Sequence, residues 1–212
     1  MSVTILARCR DYVAAVKPYG LLSEGEGEDA FPRLLREELG VETVYTVHRL
    51  DRTTEGVMVY ALTKNGAAEL SRIVAAGEMD KRYTAYITPD PSLPPSGEMR
   101  DWLFFDRRRD KSFVADSGRR GAREAVLTYR LGEPFSLKDR TVVPAFVKLE
   151  TGRTHQIRVQ FGSRKSPLIG DGKYGSRLNY KGPALFCTSL TFPWNGETVT
   201  VELGEENPAG IV

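Results

Sequence analysis

His48-Arg49-Leu50-Asp51-Arg52-Thr53-Thr54-Glu55-Gly56, running straight into Val57-Met58-Val59-Tyr60-Ala61-Leu62, is a polar loop that empties into an apolar strand. The loop sets one carboxylate, Asp51, between two arginines at the entrance to that strand. Strand ends and their loops are where a rigid sheet presents chemistry to a cleft. A guanidinium close to such a carboxylate holds it ionised at neutral pH, which a nucleophile or charge stabiliser requires. Isolated from this context, an aspartate between arginines reads as a surface ion pair. Arg158 is the first candidate for its partner, because side chains adjacent in sequence can point away from each other.

Outward from this stretch, the pattern is of many strands and few helices. A short apolar run, Val44 to Val47, precedes the loop, and Tyr12 to Val16 reads as a strand stopped by Lys17-Pro18-Tyr19-Gly20. Phe31, Leu34, Leu35 and Leu39 have helical spacing, with Gly40 as the stop. Thr63 caps a helix from Lys64 to about Ala76, which buries Ala67, Leu70, Ile73 and Val74 and ends at Gly77. Lys81 to Thr88 alternates as a half-buried strand, and the four prolines between Pro89 and Gly97 make a loop. Further strands are expected at Gly97 to Phe105, Ala122 to Leu131, Thr141 to Glu150, Ala184 to Phe192 and Thr198 to Leu203. Arg107, Arg108, Arg109, Lys111, Arg119, Arg120 and Arg123 fall in a loop between the first two of these. The fold class is therefore α+β, built on a mixed, largely antiparallel sheet rather than a regular βαβ alternation. The tail from Gly204 to Val212 is acidic, carries Pro and Gly, and is expected to fray.

At 212 residues and 41% apolar, the chain is expected to form a single globular domain spanning 1–212. It has no apolar stretch near the length of a membrane span, and charged residues stand where a secretory signal would need apolar ones, so the cytoplasm is the default location. Two cysteines, Cys9 and Cys187, and two histidines, His48 and His155, give neither a disulfide framework nor a structural zinc site. The net charge of +2 says little, but the cluster from Arg107 to Arg123 could bind phosphates, or be a solvated loop.

A second polar segment, Thr151-Gly152-Arg153-Thr154-His155-Gln156-Ile157-Arg158, enters a helix. It reads either as a phosphate-handling helix start or as an ordinary capped helix with Ile157 and Phe161 buried and its arginines in water. Tyr83, in Lys81-Arg82-Tyr83-Thr84-Ala85-Tyr86, is either a plain strand aromatic or a platform for a nucleobase. His48 and His155 are general-base candidates or hydrogen-bonded structural histidines. Gly170-Asp171-Gly172-Lys173-Tyr174-Gly175 fits the letters of a dinucleotide-binding fingerprint, but no strand precedes it and no helix follows, so it reads as a loop.

Taken together, the Lys17-Pro18 turn with Gly20-Leu21, the His48-Arg49-Leu50-Asp51 loop with Gly56, the Lys81 to Ala85 strand, and Thr151 to Arg158 followed by Gly170-Asp171 resemble the RluA-type pseudouridine synthases. These segments come in the family's order and span about Tyr12 to Leu203. The resemblance implies the pseudouridine synthase fold, with a central catalytic cleft and no metal or organic cofactor. It implies Asp51 as the catalytic nucleophile, Tyr83 packing on the target base, Arg158 pairing with the aspartate, and Arg49 filling the gap left by a flipped base. His48, Arg52, Arg153, His155 and Ile157 are expected around the substrate, with Arg107 and Arg108 clamping RNA.

The implied partner is structured RNA, ribosomal or transfer, handled by a monomer with no separate N-terminal RNA-binding domain. Glu55 departs from the small hydroxyl residue common in the family, and Gln160 to Ser166 is more charged than usual. A catalytically silent RNA-binding module and a glycosidic hydrolase using Asp51 and Glu55 are the rival readings.

Overall fold

Strands dominate because short runs of Val, Leu, Phe and Tyr alternate with polar residues between turn formers along most of the chain. The computed structural model describes residues 3–204. In chain order it contains β1 (Ile5–Arg8), β2 (Tyr12–Lys17), α1 (Phe31–Leu39), β3 (Tyr45–Thr46), β4 (Glu55–Ala61), α2 (Lys64–Ala75), β5 (Asp80–Ile87), β6 (Ser96–Asp106), β7 (Lys111–Ala115) and β8 (Arg123–Leu131). There follow β9 (Phe135–Leu137), β10 (Arg140–Leu149), α3 (Gln156–Ser163), a 3-10 turn at Gly172–Tyr174, β11 (Leu185–Trp194) and β12 (Glu197–Glu202). Apart from Gly204, the tail expected to fray lies outside the described residues. The mixed, largely antiparallel sheet expected from the sequence is present, and the described elements group into two units, one of residues up to 81 with 186–204, the other Arg82–Leu185.

In the first unit the strand order is β1-β2-β4-β11, with β3 on β4 and β12 on β11. β4 is the centre: β2 flanks it antiparallel and β11 flanks it parallel, pairing Phe186 with Glu55 and Cys187 with Gly56. Flanked on both edges, Val57 to Ala61 is fully buried, which explains why this run is apolar without alternation. Phe31 and Leu35 of α1 and Leu70 and Ile73 of α2 are also fully buried. The ring of Phe31 meets that of Tyr60 edge-on at 5.8 Å. Thr63 caps α2 by accepting from the Gly66 amide at 3.0 Å. At its far end the amides of Gly77 and Glu78 return to the carbonyls of Val74 and Ile73, and Gly77 takes the positive φ of 72° that this stop demands.

In the second unit the order is β5-β10-β8-β6-β7, with β9 on β10. Helix α3 packs on β6 and β7, and its Val159 joins Leu103 and Ala125 in a core that Tyr174 borders. The expected basic loop from Arg107 to Arg123 is corrected here. It contains β7, which pairs antiparallel with β6 from Asp106↔Lys111 to Trp102↔Ala115. Flanking cations disguise the short alternation of Lys111-Ser112-Phe113-Val114-Ala115, and only a tight turn at Arg107 to Asp110 separates the strands. The tip is closed by the Asp106 carboxylate, which accepts from the amides of Arg108 at 2.9 Å and Arg109 at 3.3 Å.

Candidate active site

Asp51 lies half-buried in a loop whose backbone is fixed on both sides. Ahead of it, the Ser23 hydroxyl donates to the Leu50 carbonyl at 2.7 Å and accepts from the Leu50 amide at 3.0 Å. Behind it, the Thr54 amide donates to the Asp51 carbonyl at 2.9 Å, closing a tight turn. Gly20 and Arg52 then clasp each other: the Gly20 amide donates to the Arg52 carbonyl at 2.9 Å and Arg52 Nε donates to the Gly20 carbonyl at 2.8 Å. A carboxylate carried on such a loop has little freedom to wander.

Beneath the loop lies a residue whose role the sequence concealed. Lys17 is fully buried, and its Nζ donates to the carbonyls of Pro18 and Leu21 at 2.9 Å and of Arg52 at 3.3 Å. Burial lowers its pKa to about 8, against the pull of the Glu55 and Asp51 carboxylates and with the push of Arg52. Lys17-Pro18 was legible only as a turn, because an ammonium that binds backbone carbonyls leaves no spacing pattern.

The other members of the loop divide by exposure. Arg49 points outward, paired with Glu24 at 2.9 Å, so it can leave that weak surface contact for a larger partner. Arg52 reaches Asp29 at 3.2 Å. His48 is buried, and its Nε2 accepts from the Val59 amide at 3.0 Å. Burial, with the Lys81 charge as a smaller cause, drops its pKa to about 3. His48 is therefore a neutral staple between the loop and β4. The contact assigns it a structural part.

The second unit carries the remaining candidates. Tyr83, in β5, is 7% exposed. The segment before α3 is organised by Gln156, whose side-chain oxygen accepts from the Arg153 amide at 3.0 Å and the Thr151 hydroxyl at 2.8 Å. Arg153 Nε is held on the Glu124 carbonyl at 2.8 Å. His155 caps the helix in the left-handed region, φ 55°, a strained setting for a residue with a Cβ. Its Nδ1 lies 3.0 Å from the Tyr174 hydroxyl.

Ile157 is buried, as expected, but the arginine beside it is not in water. Arg158 is 5% exposed, with Nε 2.7 Å and Nη2 2.9 Å from the two carboxylate oxygens of Asp171. Asp171, in the glycine-rich loop discounted as a nucleotide fingerprint, is a neighbour of Arg158 that was not singled out at the level of sequence. The only signal for it was its place after the segment that carries Arg158. Gln160, in the segment that departs from the family pattern, is fully buried and donates to the carbonyls of Met99 and Ala125 and to the Asp101 carboxylate, and Arg164 of the same segment pairs with that carboxylate at 2.9 Å. Arg107 and Arg108 stand exposed at the β6–β7 tip. Among the described residues, no three His, Cys, Asp or Glu side chains are placed to hold a metal ion.

A family model for RNA pseudouridylate synthase matches residues 11–163. The chain belongs to that family, on its RluA-type branch. It is similar to the ribosomal large subunit pseudouridine synthase D of Xanthomonas campestris, 40% identical over 172 residues that cover 72% of this chain and 49% of that protein. An uncharacterised RNA pseudouridine synthase of Haemophilus influenzae is 26% identical over 95% of this chain and 87% of its own length. A tRNA pseudouridine synthase C of Vibrio vulnificus is 29% identical over 80% of this chain and 73% of its own. The chain thus spans about half the length of the Xanthomonas relative and most of the Haemophilus and Vibrio ones. Among solved structures, human RNA pseudouridylate synthase domain containing 1 shares the fold, with a TM-score of 0.83 at 21% identity over 96% of this chain and 84% of that one.

Proposed function

We propose that this protein is an RNA pseudouridine synthase that isomerises particular uridines in structured ribosomal or transfer RNA, with Asp51 as its nucleophile. The observation that carries the reading is the clasped loop, in which the buried Lys17 holds the carbonyl of Arg52, next to Asp51, and the chain runs on into β4, buried from Gly56 to Ala61. Membership of the family supports it, as do the ribosomal and transfer RNA synthases among its relatives.

In the reaction the bond between the ribose and nitrogen 1 of uracil breaks, the base turns, carbon 5 joins the ribose and gives up its proton, and nitrogen 1 takes up a proton in exchange. The product is an isomer of the substrate, so the detached base must be kept and water kept from the sugar. Asp51 attacks the nucleotide or stabilises the sugar as the bond breaks. Arg158 pairs with that carboxylate, Tyr83 stacks on the base and is the candidate for moving the proton, and Arg49 fills the gap in the RNA. Flipping the uridine costs about a few kcal/mol, which aromatic and cationic contacts offset. Arg52, Arg153, His155 and Ile157 line the substrate, while His48 holds the loop. The protein acts as a monomeric single catalytic domain in the cytoplasm.

The test uses RNA labelled with tritium at carbon 5 of uridine, from cells lacking this protein. Wild-type protein is expected to release tritium and Asp51→Asn to release none, while RNA binding and thermal melting stay near wild type. Turnover retained in Asp51→Asn would end the assignment. Free uracil in place of released tritium would mark a hydrolase, and RNA binding without either product a silent binding module.

A further inference from the structure

The Arg158–Asp171 pair is among the most deeply buried ionic contacts described in this protein, its side chains keeping only 6% and 1% of their exposure. Asp171 takes both Nε and Nη2, which fixes the plane and direction of the guanidinium as well as its distance. The Tyr174 ring forms a second wall, its centre 5.1 Å from the guanidinium carbon. That ring is itself held: its hydroxyl accepts from the Ser112 amide at 2.8 Å and meets His155 Nδ1 at 3.0 Å. Upstream, Gly170 has φ 76°, and a Cβ there would lie 2.0 Å from the Gly182 carbonyl oxygen. The backbone leading into Asp171 therefore has one course.

A buried ion pair contributes little net stability compared with apolar side chains of the same volume. The cradle around Arg158 is better accounted for by geometry. An arginine has several torsions to lose, and a cation accelerates chemistry chiefly when its position is set beforehand.

We infer that Asp171, backed by the ring of Tyr174, is a positioning residue that fixes the Arg158 guanidinium in the attitude the catalytic carboxylate needs. This rests on the part proposed for Arg158 above. Asp171 touches neither base nor ribose in this scheme; it acts only through the arginine.

The experiment is single-turnover release of tritium from the labelled RNA by wild type, Asp171→Asn, Arg158→Lys and the double variant, with RNA affinity and melting followed in parallel. Asp171→Asn is expected to slow the step about 30-fold while RNA affinity stays within about 2-fold. In the Arg158→Lys background the same change should alter the rate less than about 3-fold, because its target has gone. Full additivity would overturn the inference, since Asp171 would then be acting through the fold. A wild-type rate in Arg158→Lys would remove the proposed part of Arg158 and this inference with it. A slow Arg158→Lys beside an unaffected Asp171→Asn would remove the inference alone. Should Asp171→Asn fail to fold, Asp171→Glu keeps the charge and displaces the guanidinium by one methylene. A slowed step at unchanged RNA affinity supports the inference there, and a wild-type rate overturns it.

Discussion

His48 and Lys17 are basic side chains that burial drives toward neutrality, and each ties the Asp51 loop to its support. His48 stays neutral in the fold down to a pH of about 3, whereas the unfolded chain takes up a proton near 6.5. Its contribution is complete above 6.5 and is lost as the pH falls from there toward 3. Between about pH 7 and about pH 4.5 it should remove on the order of 2 kcal/mol of stability. Urea midpoints at the two pH values measure this, and His48→Phe, which cannot be protonated, should lose less of its midpoint on acidification than the wild type. An equal loss in both proteins would assign the acid sensitivity elsewhere. For Lys17 the sign is opposite to that of an exposed, ion-paired lysine. Its pKa of about 8 lies below the ordinary 10.5, so burying the charge costs stability below 8, and that cost fades between 8 and 10.5. At this scale Asp51 and Arg158 stand out as candidates in the sequence because charged residues at fixed spacing beside glycine turns form a pattern. Lys17 and Asp171 belong to the segments that carry the resemblance, but their contacts, one with backbone carbonyls and one with a side chain elsewhere in the chain, follow from no spacing and appear only in the fold.

Among the elements, long strands and capped helices were readable to within a residue or two. Thr63 and Gly77 bracket α2, and Gly40 closes α1 with φ 64°. What escaped was short or masked: β1 and β9 have too few residues to show a period, and β7 is framed by cations. Recognising β7 changes what the basic residues can do. A hairpin holds Arg107 and Arg108 at a fixed tip, and Arg119 lies over the Phe104 ring at 3.9 Å, so the charges form an ordered set. If this hairpin clamps RNA, Arg107→Glu with Arg108→Glu should weaken binding at low salt by at least about 10-fold and reduce the slope of log affinity on log salt by about 1 to 2. Filter binding across a salt series would show it. An unchanged affinity would return the hairpin to an ordinary solvated surface.

For the molecule as a whole, the parallel contact of β4 with β11 is the join on which the first unit depends. Gly56 sits there with φ 121°, and a Cβ would lie 2.1 Å from the Cys187 carbonyl oxygen. Gly56→Ala should therefore cost about 3 kcal/mol or more, read as a lowered urea midpoint or loss of soluble protein. A wild-type midpoint would mean that the join is looser than it looks. The sequence offered Gly56 only as a loop residue, because a close approach between distant backbones is invisible until both strands are in place.

That join has a temporal consequence during synthesis. The loop bearing Asp51 leaves the ribosome early, but the strand that seats its last residues begins at Leu185, near the end of the described chain. A nascent chain stopped between Asp171 and that strand carries every side chain proposed for the chemistry and lacks the edge against which β4 closes. Competence should thus arrive late and abruptly, only after β11 has emerged, which spares a half-made enzyme from engaging the RNA around it.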